Sequence, residues 1–150
     1  MELLIKKLDD RAKIPEAATG GSAGMDLCAV LDAPLVLEPG QRAMVPTGLA
    51  IALPSNDLVA LIFARSGLAV KHGITLSNCV GVVDSDYRGE VKVGLINQSN
   101  VAYEIAPGER IAQLVITPVV MAQPVVVDSL PDSERGEGGF GSTGRGVNAK

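Results

Sequence analysis

The apolar positions of this chain fall into short runs separated by turn-forming residues. Strand-like runs occur at Leu3 to Lys7, Leu35 to Leu37, Ala43 to Val45, Leu49 to Leu53, Leu58 to Ala64, Ile74 to Val83, Glu90 to Asn97, Tyr103 to Ile105, Arg110 to Val119 and Pro124 to Val127. Within Glu90 to Asn97, Val91, Val93 and Leu95 alternate with Glu90, Lys92 and Gly94, the period of a half-buried strand. Pro39-Gly40, Pro46-Thr47-Gly48, Pro54-Ser55-Asn56-Asp57 and Pro107-Gly108 are turn signals spaced as in a sandwich or closed barrel. No helical period persists for ~10 residues, apart from a turn or two between Arg65 and His72. The pattern predicts an all-β domain over residues 1–131, a distorted jelly-roll-like barrel or sandwich. From Asp132 onward the chain is polar and glycine-rich with one phenylalanine, too poor in apolar surface to order itself, so residues 132–150 are expected to form a mobile tail.

One connection is unusual. Ile74 to Val83 and Glu90 to Asn97 read as the arms of a hairpin, yet the link from Asp84 to Gly89 is longer than the two-residue Asn-Gly or Asp-Gly turn such a hairpin favours. It carries Asp84, Asp86, Tyr87 and Arg88 at its tip, and Gly89 closes the turn. The plain reading makes Asp and Gly turn formers and Tyr87 a cross-strand partner; the chemical reading makes the tip reactive. A calcium loop is excluded, because Arg88 stands where a third oxygen ligand belongs and Leu95 where a bidentate Glu is needed.

Composition narrows the chemistry. With 150 residues, 47% of them apolar, the chain has material for one buried core. A net charge of −4 disfavours a broad grip on a nucleic-acid backbone, so any phosphate site must be local. No apolar run approaches the ~20 residues of a membrane span, and the first residues lack the features of a signal peptide, which predicts a cytoplasmic protein with no membrane partner. Cys28 and Cys79 are expected as free thiols buried as small hydrophobes. A single histidine, His72, rules out a multi-histidine metal centre and reads as structural in its Lys-His-Gly turn. Of the four aromatics, Phe63, Tyr87, Tyr103 and Phe140, two lie in the tip and the tail, positions that suit stacking on a nucleobase, worth roughly 1–3 kcal/mol. Gly136, Gly138 and Gly141 match a bare G-x-G-x-x-G, but a dinucleotide fingerprint needs a strand before it and a helix after it, and only nine residues remain beyond Gly141, so that reading fails on context. Such glycine-rich backbone, flanked by Arg135, Ser142, Thr143 and Arg145, can still wrap phosphates with its amides.

Three further clusters place polar groups at strand ends: Asp26 after Gly24, Arg65-Ser66-Gly67 at the start of the possible helical turn, and Gln113 inside an apolar run. Arg-Ser-Gly reads equally as an anion site or as a helix cap. Taken in order, five motifs resemble the homotrimeric dUTP diphosphatases (dUTPases) over nearly the whole chain: Ala-Gly-Met-Asp-Leu at 23–27, Arg-Ser-Gly-Leu-Ala at 65–69, Gly-Val-Val-Asp-Ser-Asp-Tyr-Arg-Gly-Glu at 81–90, Gly-Glu-Arg-Ile-Ala-Gln-Leu at 108–114, and Arg-Gly-Glu-Gly-Gly-Phe-Gly-Ser-Thr-Gly at 135–144. Ala64 departs from the Pro or Gly common before Arg-Ser in the family, a difference of loop stiffness.

The resemblance implies a dUTPase-like fold and Mg²⁺-dependent hydrolysis of dUTP to dUMP and pyrophosphate, which keeps uracil out of DNA and supplies dUMP for thymidylate synthesis. It makes Asp84 the general base that activates water for in-line attack on the α-phosphorus. It places Mg²⁺ on the triphosphate, with Asp26 holding one of its waters. Arg65, Ser66, Gln113, Arg135, Ser142 and Thr143 would grip phosphates, with Gly67 and Gly141 beside them. Uracil would lie against the main chain around Val83 with the Asn78 amide on its edge, Tyr87 would lie under the deoxyribose and block a 2′-hydroxyl, and Phe140 would close over the base. Each site would be shared among the subunits of a homotrimer. The competing readings are a dCTP deaminase-like enzyme of the same fold, disfavoured by the unbroken pattern around Asp84 and the complete tail, and a non-catalytic nucleotide-binding β-trimer that signals through a partner, which needs neither Asp84 nor Asp26.

Overall fold

A computed structural model describes residues 1–139. Its strands are β1 (Leu4–Lys7), β2 (Met25–Cys28), β3 (Leu35–Leu37), β4 (Arg42–Ala52), β5 (Leu58–Ala64), β6 (Ile74–Leu76), β7 (Gly81–Val83), β8 (Glu90–Asn97), β9 (Tyr103–Ile105) and β10 (Arg110–Pro118), with one helix, α1 (Ser66–His72), between β5 and β6. They form antiparallel sheets in the orders β1-β4-β8-β6 and β2-β10-β5-β7, with a two-stranded β3-β9 pair. This is the all-β, jelly-roll-like class that the turn spacing predicts. Residues from every sheet, among them Leu27, Leu37, Leu49, Ile74, Leu95, Ile105 and Leu114, meet in one core. Among the described residues no helix is long and apolar enough to cross a membrane.

Several expectations are corrected. The run Ile74 to Val83 is two strands, not one: it breaks at 77–80, where Cys79 takes φ 64°, and β6 and β7 join different sheets. No β7–β8 hairpin forms either. β7 pairs with β5, whereas β8 pairs with β4 and β6, so residues 84–89 are an arch from one sheet to the other. Periodicity sees alternation within a strand but not the partner, and two strands adjacent in sequence look like a hairpin whether or not they pair. Conversely, Pro46-Thr47-Gly48 is no turn. β4 runs through it with a register shift between Pro46 and Ala50, a bulge in which Gly48 takes φ 67° and a Cβ would stand 2.9 Å from that of Ala12. β2 forms although Met25 to Cys28 shows too few residues to alternate, and Pro124 to Val127 pairs with nothing in its own domain. Cys28 is buried as expected, and burial pushes its thiol pKa up, but Cys79 is exposed.

Asn97 joins the layers at the end of β8. It is wholly buried, and its Nδ2 donates to the Leu37 and Val101 carbonyls at 2.8 Å each while Oδ1 accepts from Ser99 N at 2.9 Å and Ser99 Oγ at 2.8 Å. A residue with both donors and both lone pairs used inside a core is hard to replace. Asn97→Ala is expected to destabilise the protein by about 2–4 kcal/mol, since it strands several buried partners. Urea melts would check this, and a loss near zero would mean that water replaces the side chain.

Candidate active site

Most of the predicted site residues among those described gather into two clusters. The first is the arch. Asp84 is its first residue, exposed, directly after buried Val83, which pairs with Ala60 of β5. Tyr87 N donates to the Asp84 carbonyl at 3.2 Å, and Arg88 Nη1 donates to the carbonyls of Ser85 and Tyr87 at 2.8 and 2.9 Å. Arg88 therefore stiffens the arch from outside. At the exit, Tyr87 Oη donates to the Glu90 carbonyl at 3.1 Å, and Glu90 Oε1 accepts from Gly48 N at 2.9 Å in the β4 bulge. These groups border a cavity of about 330 Å³, with Met44 and Val82 on its apolar side and Asp84, Tyr87, Glu90 and Lys92 on its polar side. β7 is the edge of its sheet, so one side of its main chain keeps free N–H and C=O groups. Asn78 is exposed in the turn before β7, beyond the cavity lining.

The second cluster surrounds Asp26. Gln113 of β10 pairs with Asp26 of β2 on one side and Phe63 of β5 on the other, so three strands bring motifs distant in sequence together. Asp26 Oδ1 accepts from Arg65 Nε and Oδ2 from Arg110 Nη1, both at 2.9 Å, and Arg65 Nη1 reaches the Arg110 carbonyl at 3.1 Å. Gln113 Nε2 donates to the Ala64 carbonyl at 2.9 Å, and Gly24 leaves room for it, since a Cβ there would come within 3.2 Å of its Cδ. Arg65, Ser66, Gly67, Arg110 and Gln113 face a cavity of about 440 Å³. Two guanidiniums against one carboxylate leave it a net positive charge, held in fixed orientation for an anion such as a polyphosphate. Arg65 occupies the cap position of α1 without a side-chain cap bond, its guanidinium going to Asp26 instead. The Arg65 side chain therefore does not act as a cap, and its charge is engaged by a carboxylate.

Arg110 was not anticipated. Three residues from Gln113, it belongs on the opposite face of a regular strand, but β10 shifts register between Arg110 and Ala112, and the bulge brings both side chains to the same cavity. No feature of local spacing announces that bulge. Arg135 Nε donates to the Gly138 carbonyl at 2.8 Å within its own turn and lines neither cavity. Phe140, Gly141, Ser142 and Thr143 lie outside the described residues.

Comparison with known proteins identifies the family. The dUTPase family model matches residues 10–144. The deoxyuridine 5′-triphosphate nucleotidohydrolase of Idiomarina loihiensis is 54% identical over 145 residues, 94% of this chain and 96% of its own. That of Burkholderia multivorans is 56% identical over 147 residues, 97% of this chain and 99% of its own. Among solved structures, Staphylococcus bacteriophage 80alpha dUTPase with dUPNHPP superposes with a TM-score of 0.86 at 30% identity, covering 96% of this chain and 99% of the other. A dUTPase from phage phi11 of S. aureus, solved with a structural Mg(II) ion, shares the fold at a TM-score of 0.78 and 23% identity, over 88% of this chain and 100% of the other. With its family model matched from the N-terminal loop to the tail and its relatives aligned nearly end to end, the chain belongs to the dUTPase family.

Proposed function

We propose that the arch and the Asp26 cluster are two halves of one dUTP site that meet only across a subunit boundary. The observation that carries this is the β5–β7 ladder. Val83 pairs with Ala60, while Arg65 follows Ala64 at the other end of β5. At ~3.3 Å per residue, Asp84 and Arg65 are separated by about 17 Å or more along the strand. A base must lie within about 3 Å of the water it activates. One copy therefore offers the base at one end and the phosphate grip at the other, and a second copy closes the gap. The chain is a homotrimer with active sites shared between subunits. The segment after β10 fits such an assembly, since Val120, Met121, Val125 and Val126 are exposed apolar residues that their own domain leaves uncovered.

The enzyme hydrolyses dUTP to dUMP and pyrophosphate. Asp84 takes the proton of a water that attacks the α-phosphorus in line, and the bond to the bridging oxygen on the β side breaks, leaving pyrophosphate. The free main-chain edge of β7 at Val83 pairs with uracil in the manner of a complementary base, with the Asn78 amide at its far end. Tyr87 packs against the deoxyribose. Arg65, Arg110, Ser66, Gly67 and Gln113 hold the phosphates, joined by Arg135, Gly141, Ser142 and Thr143 from the tail, with Phe140 over the base.

The cofactor is Mg²⁺, and the donor set fits an ion carried in on the triphosphate rather than one caged by protein. Among the described residues no three His, Cys, Asp or Glu side chains converge. Both Asp26 oxygens already accept from arginines, yet each keeps a lone pair for a metal-bound water. When bound, the ion neutralises charge on the phosphate oxygens.

Purified protein with Mg²⁺ should release pyrophosphate from dUTP and far less from dCTP, dTTP or UTP, with no ammonia from any. Ammonia from dCTP would establish the deaminase reading instead. Binding of dUTP with no product would establish the non-catalytic one.

A further inference from the structure

Gly89 has no conformational need to be glycine. It is absent from the positive-φ glycines of the described residues, which are Gly40, Gly48, Gly73, Gly108 and Gly136, so an L-residue can adopt its backbone. What a side chain there would meet is the ring of Tyr87: a Cβ would stand 2.6 Å from Cζ and 3.0 Å from Cε2, with the hydroxyl oxygen in contact as well. The ring is folded back onto the main chain at this point. It is pinned there by the bond from its hydroxyl to the Glu90 carbonyl, and Glu90 is in turn fixed to the β4 bulge through Gly48 N. The turn-closing role that the sequence suggests for Gly89 is therefore not its reason for being glycine.

We propose that Gly89, together with the Glu90 carbonyl, is the seat that sets the height and tilt of the Tyr87 ring, and that Gly89 is thereby a specificity-determining positioning residue. This rests on the reading that Tyr87 packs against the sugar. A ring that rejects a 2′-hydroxyl must be held to a fraction of an ångström, because the group to be excluded is a single oxygen. The open face of Gly89 lets the hydroxyl end of the ring come up against the backbone. A methyl at that position lifts the ring into the space of the sugar or swings it out to solvent, and Tyr87 is already 46% exposed, so the outward path is open. Either movement changes how dUTP and UTP are distinguished.

The test is a double-mutant cycle. The parent, Gly89→Ala, Tyr87→Ala and the Tyr87→Ala/Gly89→Ala pair are compared for kcat/KM on dUTP and on UTP and for melting temperature. Gly89→Ala is expected to raise KM for dUTP and to cut the dUTP-to-UTP preference by at least about tenfold, against a parent preference of ~100-fold or more for a group of this size. In the Tyr87→Ala background the same methyl meets no ring, so it should change neither the preference nor KM by more than about twofold, and the melting temperature should not fall further. Equal penalties in the two backgrounds, in kinetics or in melting temperature, would overturn the seat and make Gly89 an ordinary backbone glycine. A parent that shows no preference for dUTP would remove the sugar assignment of Tyr87 and the inference with it, whereas a discriminating parent matched by a discriminating Gly89→Ala variant overturns the seat alone.

Discussion

Asp84→Asn is expected to lose turnover by a factor of roughly 10²–10⁴ while binding dUTP almost as well as the parent, because the amide keeps the shape of the carboxylate and removes only the proton acceptor. The arch should be unaffected, since the Asp84 contact that shapes it is its main-chain carbonyl accepting from Tyr87 N, which the substitution leaves in place. A melting temperature equal to the parent's and a dissociation constant within about threefold would show that only chemistry has been lost; turnover within tenfold of the parent would remove Asp84 from the role of base. The two-cluster arrangement adds a second readout. Arg65→Ala should also be nearly inactive, for want of a phosphate grip. Mixed trimers of Asp84→Asn and Arg65→Ala subunits should regain part of the activity, because some boundaries then join an intact Asp84 to an intact Arg65. Absence of recovery in verified mixed trimers would mean that both groups act within one subunit, against the separation along β5.

Deleting Ser133 to Lys150 is expected to leave a folded trimer with little or no activity. Residues 133–139 are exposed, and among the described residues the last strand ends at Pro118 and the core draws none from beyond Leu114, apart from the partly buried Ile116 packed against it, so the described part of the deletion removes no core packing. Catalysis should nonetheless collapse, since the deletion removes Arg135, Ser142 and Thr143, proposed to hold the phosphates, and Phe140, proposed to cover the base, and a loosened attack geometry is costly. Phe140→Ala should give a milder loss of the same kind. Gel filtration and thermal melting establish that the truncated protein remains assembled, and steady-state kinetics on dUTP then decide. Near-parent kcat/KM would make the tail a dispensable terminus.

What can be read locally is legible in the sequence. β3, β5, β8 and β9 have the limits that alternation and turn residues mark, and the five motifs name the family, because each motif is a contiguous stretch whose residue order survives without the fold. Asp84, Tyr87, Arg65 and Gln113 stand out for the same reason. Partnership is not local, and there the tertiary structure decides. Whether β7 pairs with β8 or with β5 depends on which edge is free after the other strands have packed, and the answer turns a hairpin into an arch between sheets. The bulges in β4 and β10 are likewise visible only in the register of the paired strands. One gives Glu90 an N–H to hold, and the other brings Arg110 to the side of Gln113. Even the reason for Gly89 is tertiary in kind: its φ does not demand glycine, and it is the end of the Tyr87 ring that occupies the place of a side chain.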